Sequence, residues 1–240
     1  VSRARGALVA AGVLLAGTAR WWGPPLLRRF SFFAVRRVEV AGVRYLAPSR
    51  VVAAMGLGAD ASVWSSLPAL ERRLAALPGV AAARVSRRLP STLRVEVTEV
   101  EPVALAAGPS GLVPVGRDGR PLPYDPATAP VDAPVVRRAD ARVLEALDVV
   151  RVSDPQLFAV LTAARADEAG GGEVVLELER GRLRLATPVD PAVVRAVAAV
   201  VRDLERGGQS WRELDGRYKG WVVVRPAAPG GATAGPARAA

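Results

Sequence analysis

Asp118, Asp125 and Asp132 are the residues whose type and spacing could do chemistry, because two carboxylates in different surroundings can act as general acid and general base in glycoside hydrolysis. Their neighbours argue for a plainer role. Asp118 precedes Gly119, Asp125 precedes Pro126, and Asp132 stands just before Ala133-Pro134, all settings in which Asp builds turns. The stretch also offers no aromatic platform for a sugar, so a secreted carboxylate hydrolase is carried only as the enzymatic alternative. Elsewhere the chemistry narrows quickly. The 240 residues include no Cys and no His, which removes disulfides, thiol nucleophiles, imidazole bases and nearly all zinc chemistry. Gly170-Gly171-Gly172 is followed by neither Gly-Lys-Ser/Thr nor a G-x-G-x-x-G pattern, so it reads as a linker and not as a phosphate cradle. No catalytic, cofactor-binding or metal site is expected, and no cofactor. The net charge is +10, with Lys219 the only lysine. Residues 1–35 hold five Arg and no acid, and residues 36–105 hold ten Arg against six acids, whereas residues 106–240 are nearly balanced. A nucleic-acid binder would gather charge and aromatics on one folded face, so the amino-terminal excess points instead to anionic lipid near Arg28 and Arg29.

The elements that organise the chain lie in residues 77–104. Pro78-Gly79 stops a helix, since proline lacks the amide donor and glycine accepts the left-handed cap. Ala81, Ala83 and Val85 then alternate with Arg84, Ser86 and Arg88, and Leu93, Val95 and Val97 alternate with Arg94, Glu96 and Thr98. Two half-buried strands joined by a turn at Leu89-Pro90-Ser91 are predicted. Upstream, Val38 and Val40 flank Glu39 on a first strand that Gly42 ends. Pro48 opens a helix with Val51, Val52 and Met55 inward and Gly56 as its cap. Ser66 caps a second helix whose Leu67, Leu70, Leu74 and Leu77 share one face.

The run "LPGVAAARVSRRLPSTLRVEVTEVEPVA" resembles the end of the βααββ module called POTRA, in the version carried by the FtsQ/DivIB bacterial cell-division proteins. That pattern is a helix ending L-x-x-L-P-x-V, then A-x-V, then R-x-x-P-x-T-L-x-I-x-V-x-E, then P-V-A. Val95 replaces the commoner isoleucine, and Val100 stands where arginine is usual. Outer-membrane transporters carry POTRA modules too. A secretion or outer-membrane assembly factor is therefore the alternative function, although it would need a downstream barrel of many alternating strands that 240 residues do not supply.

Residues 6–19, GALVAAGVLLAGTA, are apolar or small throughout. Fourteen helical residues reach about 21 Å, short of the roughly 30 Å hydrocarbon core, so a crossing must continue through Arg20, Trp21 and Trp22 toward Leu27. Three readings stay open: a transmembrane helix, a cleaved signal peptide ending at Gly17-Thr18-Ala19, and a buried soluble helix. Arg3 and Arg5 precede the segment, and Arg20, Arg28 and Arg29 follow it, so the charge count does not set the orientation. The resemblance implies a cytoplasmic tail, one crossing helix and a large extracytoplasmic part.

Beyond residue 105, residues 113–115 and 121–124 flank Gly116 to Gly119 as a hairpin, residues 125–134 read as a loop, and helices are expected near residues 140–150 and 155–164. "EVVLELERGRLRLA" reads as a hairpin turning near Arg180-Gly181. Asp190-Pro191 then opens a helix with Val193, Val194, Val197, Val200, Val201 and Leu204 inward, ending at Gly207-Gly208. Leu214, Asp215, Arg217 and Tyr218 resemble the family's [IV]-D-x-R-Y motif, which precedes a carboxyl-terminal strand, here residues 221–225. In the family this region is an exposed sheet edge to which a partner strand adds. The resemblance thus implies a partner-binding site at Arg217, Tyr218, Trp221, Val222, Val223 and Val224. The expected fold class is α+β: an N-terminal tail and transmembrane segment over residues 1–29, a POTRA domain over 30–105, a mixed domain with an antiparallel-rich sheet over 106–226 and a disordered tail over 227–240. The function implied is a non-enzymatic scaffold at the division septum. Its implied partners are FtsL-like and FtsB/DivIC-like coiled-coil proteins and the septal peptidoglycan synthase with its glycosyltransferase.

Overall fold

Apolar residues at period two give the strands of this chain one buried face, and each sheet forms where helices with an apolar stripe can cover that face. The structure, a computed structural model, describes residues 30–109, 111–125, 129–167 and 172–227. These fall into two units that divide between Val100 and Glu101.

The first unit opens on a 3-10 turn at Ser31–Phe33 and continues through β1 (Arg37–Ala41), α1 (Pro48–Met55), α2 (Leu67–Ala75), β2 (Val80–Arg88) and β3 (Thr92–Glu99). Its sheet has the order β1-β3-β2, with β1 parallel and β2 antiparallel to the central β3. Leu93, Val95 and Val97 of β3 are buried, as are Val51, Met55, Leu70 and Leu74 of the helices. Val52 instead lies 36% exposed, because the eight-residue α1 buries only Val51 and Met55. In β2 the register shifts between Val80 and Ala82, so Val80 is buried while Ala81 turns to solvent. Gly42 turns the chain out of β1 at φ 82°, and a Cβ there would sit 2.2 Å from the Val97 carbonyl oxygen. Only glycine fits that turn.

The bend after Gly42 is tied to the end of β3 by one side chain. The Glu99 carboxylate accepts the amides of Arg44 at 2.8 Å, Tyr45 at 2.9 Å and Leu46 at 2.7 Å. Glu99→Gln, with a single neutral acceptor oxygen left for three donors, is expected to cost about 1–2 kcal/mol. Urea unfolding of the two proteins measures the difference.

The second unit contains β4 (Ala104–Gly108), β5 (Gly111–Val115), β6 (Val135–Val136), α3 (Ala141–Ser153), α4 (Pro155–Ala159), β7 (Leu161–Ala166), β8 (Glu173–Leu178), β9 (Gly181–Ala186), α5 (Pro191–Arg206), β10 (Trp211–Asp215) and β11 (Val223–Pro226). They form a mixed eight-stranded sheet in the order β11-β10-β9-β8-β7-β6-β4-β5. Val143, Leu147 and Val150 of α3, Val194, Val197 and Val201 of α5, and Leu176, Leu183 and Leu214 of the strands share one core. The Asp190 carboxylate caps α5 by accepting the Ala192 amide at 2.7 Å.

Three expectations are corrected here. The helix expected over residues 155–164 stops at Ala159, and Leu161–Ala166 is strand β7, with Ala164 opposite both Val136 and Leu176. Pairing on both sides overrides the helix preference of an alanine-rich run. Leu214 and Asp215, read only as part of a motif, belong to strand β10, Trp211–Asp215. The last strand begins at Val223, two residues later than expected. No helix among the described residues is long and apolar enough to cross a membrane, and the expected transmembrane segment in residues 1–29 lies outside the described residues. Gly170, Gly171 and the tail from residue 228 lie outside them too.

Candidate partner-binding edge

Strand β11 ends the eight-stranded sheet and, among the described residues, is paired only on its β10 side. Its outer row of backbone donors and acceptors is therefore open to another strand. The open edge is held from behind by charge. On β10, Glu213 lies opposite Arg182 of β9 and Arg225 of β11, and its carboxylate, 1% exposed, meets the two guanidinia at 2.6 and 3.0 Å. A bulge between Trp211 and Glu213 rotates Trp211 to the opposite, core face. There its ring lies over Gly181, where a Cβ would come within 2.5 Å of it.

The expected site residues divide between two roles. Arg217 donates through Nε and Nη2 to Asp215 at 2.7 and 2.5 Å, and through Nη1 to Glu173 at 2.5 Å. Arg184 donates to Glu173 at 2.8 Å and to Asp167 at 2.6 Å, closing a network across β8, β9 and the segment after β10. Arg217 is thus spent largely inside the unit, and its guanidinium lies 5.8 Å from the centre of the Tyr218 ring. Tyr218 and Trp221 are 52% and 76% exposed, so neither packs on the sheet. Val222 is half-buried against the core, while Val223 and Val224 are exposed on the edge strand. Next to the end of β11 a groove of about 1160 Å³ runs between Val160, Leu161, Leu204, Trp211 and Ala227.

The charged partners missed from sequence are Asp167, Glu173, Arg182, Arg184, Glu213 and Arg225. A signal existed. Arg182 and Arg184 alternate with core leucines on the hairpin face that also carries Glu173 and Glu177, and there Arg184 reaches Glu173 as its diagonal cross-strand neighbour. Asp118, by contrast, serves its turn, accepting the Arg120 amide at 3.1 Å.

The Arg184 and Arg217 guanidinia hold the Glu173 carboxyl below its usual range, and Arg217 does the same to Asp215. A carboxyl held low in the folded state contributes stability that is fully present above its unfolded value and is lost as pH falls through the folded one. Unfolding free energy is therefore expected to be level near neutrality and to fall below about pH 4. Denaturant titrations at successive pH values check this, and Glu173→Gln should flatten the acid limb.

Residues 33–99 match the family model described as POTRA domain, FtsQ-type. The cell division protein DivIB of Geobacillus kaustophilus is 32% identical over 105 residues, which is 43% of this chain and 40% of that protein. The cell division protein FtsQ of Corynebacterium glutamicum is 27% identical over 168 residues, 70% of this chain and 68% of that one. Residues 33–99 thus carry an FtsQ-type POTRA domain, and the chain is similar to the FtsQ and DivIB cell-division proteins. The aligned part spans well under two thirds of the DivIB protein's length. The residues the FtsQ-type model covers take in the whole of β1, α1, α2, β2 and β3, so Gly42 and Glu99 fall within the FtsQ-type POTRA domain.

Proposed function

We propose that this chain is a non-enzymatic scaffold of bacterial cell division, anchored in the cytoplasmic membrane by a single span within its first 29 residues. Its two units lie outside the membrane and concentrate at the septum. The observation that supports the reading most is the unpaired outer side of β11, with Tyr218 and Trp221 exposed just before it. A strand from an FtsB/DivIC-like coiled-coil partner, accompanied by an FtsL-like protein, adds to this edge. Main-chain hydrogen bonds supply affinity, and the two aromatics with Val223 and Val224 supply specificity. Arg217 positions Tyr218 and keeps residues 215–218 in place. Bound in this way, the scaffold links those partners to the septal peptidoglycan synthase and its glycosyltransferase.

The test is capture of FtsL-like and FtsB-like ectodomains by residues 30–240, followed by hydrogen exchange of the complex. Binding with slowed exchange of the amides at residues 223–225 is the expected result. Binding without that protection moves the site off β11. If neither ectodomain is captured, the scaffold reading fails in this form.

A further inference from the structure

The first unit carries an exposed apolar and cationic face that its own fold leaves uncovered. Phe30 and Phe32, on either side of Ser31 in the opening 3-10 turn, are 54% and 63% exposed. Phe33 is held from below, its ring edge-on to Trp64 at 5.8 Å and its carbonyl accepting the Val63 amide at 2.9 Å. The turn is therefore fixed while two of its three phenylalanines meet water. Immediately after it, Arg36 and Arg37 are exposed, and among the described residues no carboxylate stands within ion-pair distance of either. Both line a shallow groove of about 460 Å³ whose floor is Val35, Val38, Val52 and Leu57. The nearby acids are few. Glu39 is engaged by Arg88 at 3.2 Å, and Asp60 stands in the loop beyond Ala59.

We propose that this face, Phe30, Phe32, Arg36 and Arg37 with the groove beside them, lies on an anionic bilayer surface and sets the orientation of the POTRA unit against it. Aromatic rings that sit at the level of lipid headgroups, guanidinia for the phosphates and an apolar floor are the chemistry that such a surface matches. The chain outside the structure supplies the occupant. Residues 1–29 end directly before Phe30, are apolar over residues 6–19, and close on Trp21, Trp22, Arg28 and Arg29 without one acid. A bilayer reached by that segment is within a few residues of this face. The inference rests on the membrane-anchored reading above and goes beyond it by naming which side of the unit touches lipid.

Because the chain has no cysteine, single thiols can be placed cleanly. Full-length Ser31→Cys and Ala59→Cys proteins, with Val152→Cys on α3 as a control, carry an environment-sensitive fluorophore. Each is mixed with vesicles of phosphatidylcholine alone or with 30% phosphatidylglycerol, then floated. The labels at 31 and 59 should shift to the blue in the anionic vesicles, and the label at 152 should not. Arg36→Glu/Arg37→Glu, at two exposed positions, should abolish the shift at unchanged far-ultraviolet circular dichroism. Flotation with water-like emission at 31 and 59 overturns the docking and leaves the anchor standing. Failure to float overturns the anchor and the docking with it. A shift that appears only when partner ectodomains are added gives the face to protein and likewise overturns the proposal.

Discussion

Arg217→Ala is expected to cost the second unit about 3 kcal/mol, since removing one partner of a buried ion pair leaves the other charge uncompensated. Asp215 has no exposed side-chain surface and Glu173 is only 17% exposed, and three of the bonds that satisfy them come from this one guanidinium. Arg184 stays close enough to support Glu173 at 2.8 Å, which keeps the cost from reaching the upper end of the range. The loss should appear as a melting point lower by on the order of 10 °C. Arg217→Lys should recover part of it, because an ammonium cannot reproduce the planar fork that spans two carboxylates. Arg142→Ala is the contrast. Its pair with Asp140 lies at the surface at the start of α3, where solvent screens it, so its loss should leave the melting point nearly unchanged. A binding defect in Arg217→Ala is therefore to be read against stability before it is assigned to lost partner contact.

Trp221→Ala is expected to weaken capture of the partner strand by about 2 kcal/mol, roughly 30-fold, while changing stability by less than about 0.5 kcal/mol. An indole 76% exposed has little to lose inside its own fold and a large area to give to a partner. Isothermal titration of wild-type and variant protein with the partner ectodomains measures the first quantity, and thermal melting measures the second. Equal affinities would take Trp221 out of the interface. A destabilised variant would mean that the ring packs where the structure leaves it free.

The POTRA unit was legible because its signals are local and agree with one another. Gly42, Pro48, Gly56 and Pro78-Gly79 punctuate the chain, and the inward positions of β3 repeat without a break. The second unit was less so, because several strands exist only by virtue of their neighbours. Val135–Val136 is a two-residue strand held between partners distant in sequence, and the alanine-rich Leu161–Ala166 has β8 next to it in sequence but meets Val135–Val136 only across two helices. At the candidate site, Tyr218 was singled out by its motif and Trp221 by the family resemblance of the strand after it, and both stand exposed. The role of Arg217 was the part that sequence hid. A motif marks that a residue matters but not which way its side chain turns, and that depended on Glu173, forty-four residues earlier.

The parallel pairing of β1 with β3 has a consequence in time. Val38 lies opposite Leu93, so the strand made first must wait for more than fifty further residues before its partner exists. At a synthesis rate of about 5–20 residues per second, that delay is roughly 3–10 s. During it the β2–β3 hairpin, whose pairs are close in sequence, has not yet been made, and the nascent strand stands with its one ladder unfilled. The paired arginines at its head then act as gatekeepers, since like charges side by side discourage two such strands on neighbouring nascent chains from joining. The same cations that lipid would attract in the finished protein thus protect the unfinished one.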